Sequence, residues 1–87
     1  MKYGHRTIQS FWECYAALPQ DVRARADKQF ALLLRNPAHP SLQLKRVGAL
    51  WAVRVSKDWR GLAMREADTF YWFWIGGHDE YERLLKG

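Results

Sequence analysis

The chain has 87 residues, of which 48% are hydrophobic and 15% aromatic, and it carries a formal net charge of +5. This composition excludes a disordered chain, and the length predicts a single domain, residues 1–87, with a small core. We expect no membrane span and no secretory signal peptide, since no apolar run is long enough and residues 1–10 are polar. Cys14 is the only cysteine, which excludes an internal disulfide and favours a cytoplasmic location.

The first part of the chain predicts a short edge strand followed by two helices. Residues His5–Gln9 are compatible with the strand, and Ser10-Phe11-Trp12-Glu13 has the pattern of a capping box that begins the first helix. The second helix is predicted to begin at Gln20 and to end at Asn36-Pro37, because the residue before a proline avoids helical geometry. Apolar residues recur along it at helical spacing, namely Val22, Ala26, Phe30 and Leu33.

The remaining part predicts an antiparallel meander and a last helix. Gly48 marks a turn, and Gly76-Gly77 is expected to break the last strand. That strand is apolar on both faces, which predicts a central position covered on both sides. The predicted elements are strands at Leu42–Val47, Trp51–Ser56, Trp59–Glu66 and Phe70–Ile75 and a helix at His78–Lys86, with Tyr81, Leu84 and Leu85 on one face.

These elements predict an α+β fold in which an N-terminal helical hairpin packs on a three- to four-stranded antiparallel sheet, with a short C-terminal helix. The hairpin should cover one face of the sheet with its apolar stripe. The other face is then left for basic and aromatic side chains.

Positive charge is concentrated in the middle of the chain. Between Val22 and Arg65 there are ten lysines and arginines and only two acidic residues, whereas the rest of the chain has four basic and seven acidic residues. A basic centre predicts a polyanionic partner. For Arg23, Arg25 and Lys28, a solvated helix face is an equally good interpretation.

Four residues of the last third have side chains suited to RNA. Guanidinium groups bind phosphate, aromatic rings stack on bases, and histidine moves protons near neutral pH. Arg54, Arg60, His78 and Tyr81 therefore indicate a surface that faces nucleic acid and permits cleavage. No metal site is expected, because Cys14 and the histidines lack the spacing of ligands.

Several short motifs occur in an order and at a spacing that resemble the RelE/ParE superfamily of bacterial toxins, the toxin halves of type II toxin–antitoxin systems. The resemblance extends from about Phe11 to Leu85. The motifs are residues 36–42 with Lys45, residues 51–55, residues 59–62, residues 73–76 and residues 78–81.

The resemblance favours the RelE-like branch, whose members enter the ribosomal A site and cleave mRNA without a metal or other cofactor. By position it implies RNA-binding roles for Lys45 and Arg54. It implies catalytic roles for Arg60 at the scissile phosphate, for His78 in proton transfer and for Tyr81 in stacking or proton donation. It also implies a cognate antitoxin, contact with operator DNA only through the antitoxin complex, and no membrane partner.

Two other functions remain open from the sequence. The chain could be a ParE-like inhibitor that binds DNA gyrase without catalysis, or an inactive remnant that only binds an antitoxin. Among the site residues, Tyr81 is as well suited to the core as to catalysis, and Lys45 to a solvated strand position. Arg60 is expected to add little packing, although it could anchor its hairpin through Asp58, and Arg54 could pair with Glu66 or Asp68. His39 is interpreted as a loop residue.

Overall fold

The computed structural model describes residues 3–86, in which a five-stranded sheet with the strand order β1-β5-β4-β3-β2 separates two helical layers. No helix in this part of the chain is long and apolar enough to cross a membrane. In chain order the elements are β1 (Gly4–Thr7), α1 (Gln9–Ala16), α2 (Gln20–Arg35), a short 3₁₀ helix (Pro40–Leu42), β2 (Lys45–Val47), β3 (Leu50–Ser56), β4 (Trp59–Glu66), β5 (Thr69–Gly77) and α3 (His78–Lys86).

The α+β class, the helical hairpin and the antiparallel meander β2–β5 are confirmed, but the sheet has one more strand than predicted. β1 pairs with β5 in parallel, with His5 opposite Phe70, so the sheet is mixed. β5 therefore has a neighbour on each side, as its apolar sequence predicts. The short segment before the first helix could not reveal this pairing, because its partner lies more than 60 residues further along the chain.

The two faces of the sheet carry separate apolar clusters. On one face, α1 and α2 bury Phe11 and Leu33 against Val53 and Trp72. On the opposite face, a smaller cluster forms beneath α3 from Ala52, Leu62, Trp74 and Tyr81. The hairpin thus covers one face as predicted, and the smaller cluster supports the other.

The predicted capping box is wrong. The first helix begins at Gln9, and its N-terminus has no side-chain cap. Ser10 Oγ instead donates to the backbone carbonyl of Phe73, at 2.7 Å. The register of β4 and β5 shifts so that Phe73 has no partner residue on β4, and the serine supplies the missing hydrogen-bond donor.

The predicted strand Leu42–Val47 is shorter in the structure. The 3₁₀ helix ends at Leu42, Gln43 has a left-handed backbone with φ of 44°, and only Lys45–Val47 pairs with β3. His39 explains the difference, because its Nδ1 accepts from the backbone N–H of Ser41 at 3.2 Å and caps the 3₁₀ helix. His39 is therefore a loop residue, as interpreted from the sequence.

Gly76-Gly77 does not break β5, which continues to Gly77. A Cβ atom at Gly76 would lie 2.5 Å from Cζ2 of Trp74, so the glycine makes room for the indole ring. The apolar face of α3 consists of Tyr81 and Leu85, whereas Leu84 is exposed, contrary to prediction.

Candidate RNA-binding groove

A groove of about 230 Å³ lies on the sheet face opposite the hairpin, between β2, β3, β4 and α3. All five candidate residues predicted from the sequence line it. They are Lys45, Arg54, Arg60, His78 and Tyr81. Residues 45 to 81 meet here because the meander returns β4 alongside β3 and α3 folds back across both strands.

Arg54 and Arg60 are directly opposite each other on β3 and β4. Like charges at opposite positions destabilise a strand pair, because the side chains lie about 5 Å apart at Cβ. Within residues 3–86 neither arginine forms an ion pair, so the alternative pairing of Arg54 with Glu66 or Asp68 is wrong. An anion bound between the two guanidinium groups would neutralise this repulsion.

Arg60 is held by the turn that precedes it. Its Nη1 donates to the backbone carbonyls of Ser56, Lys57 and Trp59, at 2.6, 3.1 and 2.9 Å. Arg60 therefore anchors the β3–β4 hairpin, through carbonyl oxygens and not through the carboxylate of Asp58. All three bonds come from one nitrogen, which leaves Nη2 for a ligand.

Arg54 is positioned from the other side of the sheet. The register of β3 and β4 shifts between Arg54 and Ser56, and the backbone carbonyls beside this bulge accept hydrogen bonds from α2. Gln29 Nε2 donates to the carbonyl of Arg54 at 3.1 Å, and Arg25 Nε donates to that of Val55 at 3.3 Å. Bulges often redirect side chains beside functional sites.

Gln29 is a supporting residue that the sequence interpretation missed. It is the one buried polar residue among residues 3–86. Its signal in the sequence is its place within the apolar stripe of α2, between Ala26 and Leu33 at helical spacing.

His78 begins α3 at the end of the groove. Its backbone N–H donates to the carbonyl of Asp58 at 2.7 Å, which ties the helix to the β3–β4 turn. Its ring Nε2 lies 3.3 Å from Oε1 of Glu82, one helical turn further along. The carboxylate can orient the imidazole and leave Nδ1 for proton transfer. Glu82 also lines the groove and was not among the predicted site residues.

Tyr81 is only 5% exposed, and it belongs both to the core beneath α3 and to the lining of the groove. Burial raises the pKa of its phenol above the ordinary value; the nearby Arg60 opposes this effect, and Glu82 adds to it. The phenol therefore keeps its proton at neutral pH and can donate a hydrogen bond.

Lys45 lies on β2 opposite Ala52 and remains exposed. The groove thus has a mobile ammonium group at one rim and two fixed guanidinium groups at its floor. Within the part of the chain that the structure describes, no three His, Cys, Asp or Glu side chains are placed to hold a metal ion.

Solved structures with the same architecture come from toxins and toxin–antitoxin complexes. The RelB–RelE antitoxin–toxin complex of Methanococcus jannaschii matches with a TM-score of 0.71 at 11% identity, over 91% of this chain and 96% of that chain. YafQ from E. coli matches with a TM-score of 0.71 at 10% identity, over 92% and 98% of the two chains. A toxin–antitoxin complex from Mycobacterium tuberculosis matches with a TM-score of 0.61 at 21% identity, over 88% and 99%.

No protein-family model and no curated protein matches the sequence. The structural matches nevertheless extend over nearly the whole length of each chain. The chain has the RelE-like toxin fold.

Proposed function

We propose that this protein is the toxin of a type II toxin–antitoxin system and cleaves mRNA on the ribosome, in the cytoplasm. The observation that carries the proposal is the opposed pair Arg54 and Arg60 in a groove that also contains His78 and Tyr81. Two unneutralised guanidinium groups on adjacent strands fit a phosphodiester, which accepts hydrogen bonds from both sides. The fold and the motif resemblance support the choice of mRNA as the polyanion.

In the proposed reaction the ribose 2′-hydroxyl attacks the adjacent phosphorus. The 2′-oxygen loses its proton, a P–O2′ bond forms and the P–O5′ bond breaks. The products are a 2′,3′-cyclic phosphate and a 5′-hydroxyl. Arg54 and Nη2 of Arg60 bind the non-bridging oxygens, whose charge increases in the pentacoordinate transition state.

His78 and Tyr81 are the candidates for the two proton transfers. With Nε2 of His78 donating to Glu82, Nδ1 is the nitrogen that accepts the 2′-hydroxyl proton. Tyr81 remains protonated at neutral pH, so it can donate to the leaving 5′-oxygen. The two rings lie together, with centroids 5.7 Å apart. Lys45 contacts the RNA backbone at the rim.

A cognate antitoxin is the second partner in this proposal. Besides the basic groove, the chain has an apolar groove of about 280 Å³ between β1 and the helical hairpin. The exposed side chains Trp12 and Leu34 line it, together with the buried Phe11. An acidic and apolar antitoxin segment would cover these surfaces, and operator DNA would be reached only through that complex. Copurification of the product of an adjacent reading frame, tested at rising salt, checks the partner and its electrostatic contribution.

Induced expression tests the proposed function. We expect pulse labelling to show that protein synthesis stops while DNA synthesis continues, and new mRNA 5′ ends to occur within translated frames. The reverse labelling pattern would instead identify a gyrase inhibitor. Normal growth and labelling with full-length protein present would identify an inactive antitoxin-binding remnant.

A further inference from the structure

A second pair of arginines lies at the other end of the sheet, on the face that carries the hairpin. Arg46 of β2 and Arg65 of β4 line a polar cavity of about 250 Å³ together with Trp51. The cavity shares no lining residue with the groove. Arg46 follows Lys45 on the edge strand β2, so the two side chains project to opposite faces of the sheet.

Each of the two arginines is fixed by the hairpin turn that follows it. Nε of Arg46 donates to the carbonyl of Gly48 at 3.0 Å, and Nε of Arg65 donates to the carbonyl of Ala67 at 2.8 Å. Both acceptor residues have a left-handed backbone, with φ of 61° at Gly48 and 54° at Ala67. The same device therefore occurs twice, and it occupies Nε while the Nη atoms remain at the cavity.

Aromatic rings hold the guanidinium of Arg65 further in place. Its Cζ lies 4.5 Å from the ring centroid of Tyr3, 5.5 Å from that of Trp51 and 5.8 Å from that of Phe70. Such contacts restrict the guanidinium without neutralising its charge. Neither arginine forms an ion pair with an acidic residue in the range 3–86.

We propose that Arg46 and Arg65 form a second binding site for the RNA phosphate backbone, on the face opposite the groove. Two guanidinium groups with fixed orientation around one polar cavity are suited to a phosphate, which can accept from both at once. RNA is the occupant because Lys45 and Arg46 are neighbours on an edge strand, so one strand can pass from the groove around β2 to this cavity. The site rests on the proposed function for the identity of its polyanion, but its residues take no part in cleavage.

Binding of a fluorescent, single-stranded 2′-O-methyl RNA to the purified chain tests the site, because this probe cannot be cleaved through its 2′-hydroxyl. Arg46→Gln and Arg65→Gln should each weaken binding several-fold and reduce the slope of log K against log salt by about 0.7 per lost phosphate contact. Arg35→Gln, an exposed arginine of α2, makes the same change of charge and is the matched control. Arg46 is the more informative position, since its only side-chain bond is to the adjacent turn.

The outcomes separate this site from the groove. Loss of binding in both variants, with normal melting temperatures and little effect of Arg35→Gln, supports the proposal. Equal losses in all three variants would show general charge attraction and overturn it. Unchanged RNA affinity, with weakened binding of polyglutamate, would overturn it in favour of an acidic protein segment. Failure of the proposed function would instead abolish ribosome-dependent mRNA cleavage by the unmodified chain, whatever these variants do.

Discussion

The buried side chain of Gln29 on α2 donates a hydrogen bond to the backbone carbonyl of Arg54 on β3, 3.1 Å away. A helix on one face of the sheet thereby supports the strand residue whose side chain lines the groove on the other face. Gln29→Leu keeps the size of the side chain and leaves this carbonyl without its donor. We expect the free energy of unfolding to fall by about 1–3 kcal/mol.

Chemical denaturation of Gln29→Leu and of Lys28→Leu, an exposed neighbour, checks this expectation. A Gln29→Leu protein as stable as the wild type would show that the bond contributes nothing to the fold. If Gln29 also positions Arg54, the variant should bind RNA more weakly even where it remains fully folded.

Arg60 should differ from Arg54 in its effect on stability. Arg60→Ala removes the donor of three turn carbonyls, so we expect a loss of about 1–3 kcal/mol together with the loss of function. Arg54→Gln removes one of two opposed like charges, so stability should be unchanged or slightly higher at low salt. Thermal unfolding of both variants decides between these roles, and equal destabilisation would contradict them.

Gly76 and Gly77 offer a matched pair of substitutions. Gly76→Ala places a methyl group against the buried ring of Trp74, and this overpacking should cost about 1–3 kcal/mol. Gly77→Ala meets no atom closer than 4.0 Å and should be tolerated. Similar melting temperatures for the two variants would mean that the Trp74 ring does not need the space at Gly76.

His5 should make stability depend on pH. Burial lowers its pKa below the ordinary 6.5, and its Nδ1 accepts from the indole Nε1 of Trp72 at 3.2 Å. Protonated Nδ1 cannot accept, and the unfolded chain takes up the proton first. The stability present at neutral pH is therefore lost as the pH falls below about 6.5. His5→Gln should show a smaller loss between pH 7 and pH 5.5, and an identical pH profile would exclude His5 as the cause.

The periodicity of the sequence was enough to predict most elements and the content of the groove. Alternation in β3 and β4 places Arg54 and Arg60 on the face away from the hairpin, and the turn at 57–58 brings them together. The parallel pairing of β1 and the bulges at Val55 and Phe73 could not be predicted, because they depend on distant backbone partners. The anchoring of Arg60 was missed for a related reason, since backbone carbonyls leave no mark in the sequence.

Cleavage of mRNA on programmed ribosomes by the purified protein tests the central claim most directly. Wild-type protein should cut the bound mRNA and leave a 2′,3′-cyclic phosphate and a 5′-hydroxyl. Arg54→Gln, which should remain folded, ought to be slower by about 10²-fold or more, because it loses a charge-assisted contact to the transition state. Intact mRNA with the wild-type protein, or full activity in folded Arg54→Gln, would contradict the account.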